Sequence, residues 1–456
     1  MPFRIIEDRQ TGRHFNRFPA PVPLFIDNPC PSHHFPTFPP EVKHRNMLDM
    51  ISDPTVTDRP DWSPDSAISW LLTEGRFNDS VRGAFDSFMQ RLSEDGAPIG
   101  RSALIIATLH PLIRGWGLRW TRRNGTGLEA SFYHATQNTP AYLLSPIHHV
   151  FQESVYIRRR LNTPDARFDY PVLQEMKDQG YTDYLASPLI FSDGAVSVLT
   201  FCTEKPEGWT DNDLLQIDRL SAALAPVIEA ISARRTAQIL METYIGKRSG
   251  RKVLDGHIRR GDGETINAVV WFNDLRDSTA LSEELPMNRM LALLNTYFEI
   301  SALAIQNNGG EVLRFVGDAM LGIFPVSDDT GGETAAAERA LRAAFQTRDN
   351  MTEANAERRR NAEPDINFGI GLHIGEVMYG NVGAPARLDF SVIGPAANRA
   401  ARVESLTREL GIPLLTSSAF AAISPLEMAS AGLHRFKGIA DMQEVFTLPE
   451  FLPHSK

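Results

Sequence analysis

Two apolar runs near the C-terminal end of the chain each deliver an aspartate, and that arrangement narrows the fold more than any other feature. Ala268-Val269-Val270-Trp271-Phe272 has the length and β-branching of a buried strand and carries Asp274 at its end. EVLRF and AMLGIF read as two further short strands that meet at Val316-Gly317-Asp318, where the glycine permits a tight turn and leaves Asp318 at its tip. Between the two aspartates, LRDST leads into LSEELPMNRMLALLNTYFEISALAIQNN, a helical segment stopped by Gly309-Gly310. The strand-turn-helix passage leaves free amides at a helix N-terminus, where a triphosphate can be received. Two carboxylates on adjacent strand ends suit a pair of magnesium or manganese ions, which take oxygen ligands and keep positions open for phosphate. Taken singly, Asp274 reads equally well as a loop cap and Asp318 as a turn residue.

Further on, INFGIGLHIGEVMYGNVG and RLDFSVIGPAANRAARVESL supply a strand, a Gly-Pro break and a helix. Asn398 and Arg402 stand four apart on that helix, so both project from one face. Arg402 offers a planar fork of donors to phosphate oxygens, and Asn398 can orient a ribose or phosphate oxygen.

At 456 residues the chain calls for two globular domains plus connecting segments. A formal charge of -10 argues against a surface built for a polyphosphate backbone, so nucleic acid is not an expected partner. Cys30 and Cys202 are far apart and form no CxxC spacing, which fits a reducing compartment. The N-terminus lacks a secretory signal, and the longest apolar candidate, Ser102 to Ile113, is broken by His110 and Pro111. The expected location is therefore cytoplasmic, with no transmembrane segment.

Residues 1–60, rich in Pro, His, Asn and Asp, read as an extended or disordered leader. Within it Cys30, His33 and His34 lack a fourth metal ligand and read as coil. Residues 61–232 show helical spacing around Val81 to Leu92 and two hairpin signals, at Asn124-Gly125 and Asp193-Gly194. Thr210 then caps a helix with an acidic first turn, expected to run through Ile231 and to bend at Pro226. On it Ile217, Leu220, Leu224, Val227 and Ile231 have the spacing of a paired-helix seam, or of a helix packed on its own sheet. This pattern resembles a GAF sensory domain, which implies dimerisation or a small-molecule ligand or protein partner there. Residues 233–265, basic and punctuated by glycine, read as a helical linker or transducer into residues 266–450.

FNDLRDST, GGEVLRFVGDAMLGIF, GLHIGEVMYGNVG, DFSVIGPAANRAARVE and HRFKGI occur in the order and spacing of class III adenylyl and guanylyl cyclases, and the C-terminal region resembles their catalytic domain. The resemblance implies an α+β chain in which the GAF-like antiparallel sheet domain precedes a ferredoxin-like, palm-type cyclase domain. It implies two Mg2+ or Mn2+ ions per active site, held by Asp274, Asp318 and the backbone carbonyl of Leu275. Asn398 and Arg402 take the transition-state positions, Lys437 the position of a phosphate-binding lysine, and Ser278 and Thr279 lie where the triphosphate is received. A single catalytic domain implies a homodimer with two shared sites, the metal aspartates facing Asn398, Arg402 and the base-reading residues of the other copy.

The base-reading positions that the resemblance assigns hold Arg314, where adenylyl cyclases usually have lysine, and Ser391, where they usually have Asp or Thr. A donor and an acceptor match the edge of adenine, so ATP is the expected substrate; cytosine shows the same order, and GTP would favour a glutamate. A pyrimidine or GTP cyclase and an inactive dimerising module are the alternatives. Asp277-Ser278 replaces the family's frequent Gly-Phe, and Asp277 would repel a triphosphate unless it turns away or caps the helix.

Overall fold

The computed structural model describes Met47 and residues 61–108, 113–133, 139–259, 261–384, 386–436 and 441–452. The expected leader, except Met47, falls outside the described residues with its Cys30, His33 and His34, and so does Lys437.

The first lobe is a six-stranded antiparallel sheet ordered β3-β2-β1-β6-β5-β4. Its strands are β1 (Arg101–Ala107), β2 (Ile113–Thr121), β3 (Gly125–Tyr133), β4 (Ile157–Arg160), β5 (Asp183–Ile190) and β6 (Val196–Thr203). Both faces are covered, so β5 and β6 are buried at nearly every position rather than at alternate ones. Leu185, Leu189, Leu199 and Phe201 face a layer made by α1 (Asp65–Thr73), α2 (Val81–Glu94) and α6 (Asp211–Ile245). Tyr184, Ala186, Val198 and Cys202 face the opposite layer, which includes α4 (Pro146–Glu153) and α5 (Pro171–Asp178) and follows the single turn α3 (Pro140–Leu143).

The Asn124-Gly125 hairpin differs from the expected two-residue turn. Thr121 pairs with Gly125, so residues 122–124 form the loop and only Gly125, at φ +63°, takes the left-handed conformation. At the second hairpin Gly194 has φ +82° and the Phe191 amide donates to the Ala195 carbonyl at 2.9 Å.

Helix α6 (Asp211–Ile245) begins at a capping box in which the Thr210 hydroxyl accepts from the Asp213 amide and Asp213 accepts from the Thr210 amide. It passes beyond the expected end at Ile231 and continues through Pro226 to Ile245. Proline removes one helical donor, but Ala222 and Pro226 both face solvent, where water can satisfy the freed carbonyl. Leu224, Val227, Ile228 and Ile231 meanwhile hold the turn against the sheet. The seam from Ile217 to Ile231 lies in this lobe's own core, which is the single-chain reading of its spacing.

Helix α7 (Lys247–Leu254) follows α6 after Gly246 and leads into the second lobe. There β7 (Gly263–Leu275), β8 (Glu311–Val316), β9 (Ala319–Pro325) and β10 (Phe368–Ala384) pair antiparallel in the order β10-β7-β9-β8. Helices α8 (Ser278–Glu284) and α9 (Met287–Asn307) connect β7 to β8, and α10 (Gly332–Arg360) connects β9 to β10. This βαββαβ path with its 4-1-3-2 strand order is the ferredoxin-like arrangement. β11 (Arg387–Ile393) folds back on β10, α11 (Pro395–Leu410) follows, β12 (Leu414–Ser417) runs parallel to β10, and α12 (Ser418–Ala421), β13 (Ala429–Arg435) and β14 (Met442–Thr447) complete the edge. The α+β expectation, an antiparallel sheet domain followed by a ferredoxin-like domain, is borne out.

One helix foreseen over 281–308 is instead two. Leu285 is extended, at ψ 141°, and Pro286 precedes the second helix, because the residue before proline is driven out of the helical region. The second lobe's sheet is also covered on both faces: Val269 and Trp271 pack with Ile305 of α9 and Ala340 of α10, while Ala268 and Val270 pack with Ala396 and Ala400 of α11. Among the described residues no helix is long and apolar enough to cross a membrane.

Candidate active site

Asp274 and Asp318 come together because of sheet register. Asp274 pairs with Ala319 across β7 and β9, which sets Asp318 beside it at the hairpin turn, where Gly317 has φ +65°. The Leu275 amide lies 3.4 Å from the Asp318 carbonyl and closes the ladder. Burial, and then the charge of Asp318 within hydrogen-bonding reach, push the Asp274 carboxyl up to about 6. Its Oδ1 is buried and finds no hydrogen-bond partner among the described residues. A like-charged pair with an unsatisfied buried oxygen is the donor set that a divalent cation neutralises. Among the described residues no set of three or more His, Cys, Asp or Glu side chains that could hold a metal ion gathers, here or elsewhere.

The strand end bearing Asp274 is locked from behind. Trp271 Nε1 donates to Asn273 Oδ1 at 2.9 Å, and Asn273 Nδ2 donates to the Tyr297 hydroxyl of α9 at 2.7 Å. On the other side Gly369 of β10 pairs with Asp274. Gly369 and Gly371 are needed because α11 lies directly on β10: a Cβ at 371 would meet the Glu404 amide nitrogen at 2.4 Å.

Helix α11 carries Asn398, which is exposed, and Arg402, which is partly exposed. Neither side chain has a hydrogen bond or ion pair among the described residues, and neither is joined to the carboxylate pair. Sequence reasoning missed Glu404 two residues on. It is 7% exposed, and burial followed by the charge of Asp274 pushes its carboxyl up to about 7. The available signal was its place beside Val403 on the inward face of a helix otherwise marked by small residues. Arg276 was also missed; its guanidinium donates to the Thr407 and Ile412 carbonyls at 2.9 and 3.0 Å and ties the segment after β7 to the end of α11.

Ser278 and Thr279 open α8, whose first turn receives no side-chain cap. Asp277 adopts φ +59° and its carboxylate pairs with Arg408 at 3.1 Å, so it turns toward α11 instead of capping. Arg314 and Ser391 lie on β8 and β11, which run close to each other. A bulge at Leu313 puts that side chain into the core and leaves Arg314 exposed. Ser391 is 4% exposed and its hydroxyl has no partner among the described residues.

Residues 263–446 match the family described as the adenylate and guanylate cyclase catalytic domain. The chain is 27% identical to adenylate cyclase 1 of Rhizobium meliloti (strain 1021) over 204 residues, 44% of this chain and 30% of that protein. It is 34% identical to an adenylate cyclase of Anabaena cylindrica over 163 residues, 35% of this chain and 31% of the relative. The matched stretches thus span less than a third of either relative's length. A solved structure, the adenylyl cyclase CyaB from P. aeruginosa, aligns at 26% identity with a TM-score of 0.38, covering 40% of this chain and 94% of that one. Residues 263–446, with the paired aspartates and the Asn398–Arg402 helix face, belong to the class III adenylate and guanylate cyclase catalytic-domain family.

Proposed function

We propose that this chain is an adenylate cyclase, converting ATP to 3′,5′-cyclic AMP and pyrophosphate in a homodimer, with residues 61–232 acting as a GAF-like regulatory domain. The observation that carries the reading is the Asp274–Asp318 pair, in which one buried oxygen has no hydrogen-bond partner among the described residues and the neighbouring carboxylate helps to raise the Asp274 carboxyl. Asp274, Asp318 and the Leu275 carbonyl would hold two magnesium or manganese ions. When bound, these supply Lewis-acid activation of the ribose 3′-hydroxyl and charge neutralisation at the pyrophosphate.

The remaining work falls to side chains. Among the described residues Arg402 has no side-chain partner, which leaves its guanidinium able to meet charge that develops on the α-phosphate, an interaction strongest in the transition state. Asn398, one helical turn earlier, orients the sugar or phosphate oxygen. Among the described residues neither is bonded to the carboxylate pair of its own chain, which supports a reading in which a second copy supplies them across a two-fold interface. Ser278 and Thr279 receive phosphate oxygens at the start of α8, and Arg408 keeps the Asp277 carboxylate from repelling them. Arg314 as donor and the Ser391 hydroxyl as acceptor, the latter without a partner among the described residues, match adenine's ring nitrogen and exocyclic amine. Lys437 takes the triphosphate position implied by the family resemblance.

Purified protein incubated with each of the four ribonucleoside triphosphates and manganese tests this, with products identified by mass spectrometry. Cyclic AMP as the dominant product is expected. Cyclic GMP or a cyclic pyrimidine nucleotide would overturn the base assignment, and no cyclic product from any of them would favour a dimerising module without turnover.

A further inference from the structure

The segment between the lobes makes a buried polar contact that the reaction itself does not require. Glu311, the first residue of β8, is 9% exposed and receives three hydrogen bonds. The Ser249 amide and hydroxyl of α7 donate to Oε1 at 2.9 and 2.8 Å, and the Tyr379 hydroxyl of β10 donates to Oε2 at 2.9 Å. The Ser249 and Tyr379 oxygens lie 2.8 Å apart, closing the ring of contacts. A buried carboxylate is costly unless its lone pairs are occupied in this way, so the three residues act as one unit.

The approach that makes this contact rests on two glycines. Gly246, between α6 and α7, has φ +101°, and a Cβ there would lie 2.9 Å from Glu311 Oε1 and 3.2 Å from the Val312 carbonyl. A Cβ on Gly250 would lie 2.8 Å from the Met241 carbonyl of α6. α7 is therefore pressed against both the long helix of the first lobe and the root of β8. Lys252 reaches Glu264 of β7 at 2.5 Å, and Arg248 and Lys252 both stand over the Tyr379 ring, 5.4 and 5.3 Å from its centre. Ile245 and Val253 pack on the core that holds the bulged Leu313.

The strands that α7 grips bear the site. β7 carries Asp274 next to its last residue, β8 carries Arg314 and turns into Asp318, and β10 pairs with the strand of Ser391. We infer that Glu311 is a positioning residue: through Ser249 and Tyr379 it couples the seating of α7 to the β8–β9 hairpin, so that a shift of α6 moves Asp318 and Arg314. The inference rests on the cyclase reading for its catalytic consequence, but its mechanical claim can be read separately.

The test uses the full chain with Ser249→Ala, Tyr379→Phe, the double variant and Glu311→Gln, compared by amide exchange and by turnover. A hydrogen bond to a charged group is worth enough that its loss should open the local structure roughly tenfold more often. Exchange is expected to quicken about tenfold both in α7 and at the hairpin tip, residues 314–319, with the first lobe's strands unchanged. kcat should fall by a similar factor while KM stays within about twofold, and the double variant should lose less than the product of the single losses. Faster exchange in α7 with an unchanged tip would reduce the contact to a local anchor and overturn the proposal, and so would a loosened tip with unchanged kcat. If the wild-type chain turns over no triphosphate, the cyclase reading fails, and the exchange result alone still decides whether Glu311 links α7 to the hairpin.

Discussion

Asp318→Asn should make the metal-free protein more stable while removing its response to manganese. The Asp274 carboxyl is pushed from 3.8 to about 6, which taken at face value corresponds to about 3 kcal/mol. Burial is the larger cause and survives the substitution, and Asp274 is only half buried, so solvent screens what Asp318 adds. About 1 kcal/mol remains for the neighbouring charge, or roughly 2–4 °C in Tm for a domain of this size. The gain depends on pH in a defined direction. Below about pH 4 Asp274 holds its proton in folded and unfolded chains alike; between about pH 4 and 6 the unfolded chain releases a proton that the folded one keeps, and stability falls as pH rises. The substitution should flatten that fall and show its full benefit above pH 6. Wild type in manganese at about a hundred times Kd should gain about 2.7 kcal/mol, and the variant should lose most of that gain. Thermal denaturation at pH 5 and pH 8, with and without manganese, reads all four quantities. A variant less stable than wild type without metal, or one that keeps the full manganese shift, would refute the reasoning.

Two further substitutions probe the frame around the site. Gly371→Ala forces a methyl group to 2.4 Å from the Glu404 backbone nitrogen and should cost roughly 1–3 kcal/mol in urea denaturation by lifting α11 from β10, with turnover falling alongside. His373, buried and with Nδ1 2.7 Å from the Ser417 hydroxyl, is pushed down to about 4 by burial and then by Arg399. The unfolded chain takes up that proton first as pH drops from about 6.5 to 4, so stability is lost over this window, and His373→Gln should recover about 2–3 kcal/mol at pH 4.5 relative to pH 7. An unchanged acid limb in paired urea titrations would contradict it.

The parts of the site legible in the sequence are those set by short-range pattern. A β-branched run, a glycine at a hairpin tip and an i, i+4 pair on a helix locate Asp274, Asp318, Asn398 and Arg402 without knowledge of what lies opposite. Features that depend on partners far along the chain were not legible. Glu311 meets Ser249 and Tyr379 across 62 and 68 residues, and no periodicity marks such a contact. The bulge that turns Arg314 outward exists only in the pairing of β8 with β9, and Glu404 owes its elevated carboxyl to burial between its own helix, α11, and β10, whose two glycines let the helix sit so close. The two prolines show the same division. Pro286 breaks its helix as local geometry demands, whereas α6 continues past Pro226, held against the sheet by its apolar face.

The central claim is that the acidic pair of one copy works against Asn398 and Arg402 of another. Asp274→Ala and Asn398→Ala protomers, each inactive alone, should regain activity when mixed. Random pairing makes half the dimers mixed, each with one intact site of two, so about a quarter of wild-type turnover is expected. A mixed dimer demonstrated by mass and still without activity would contradict the account.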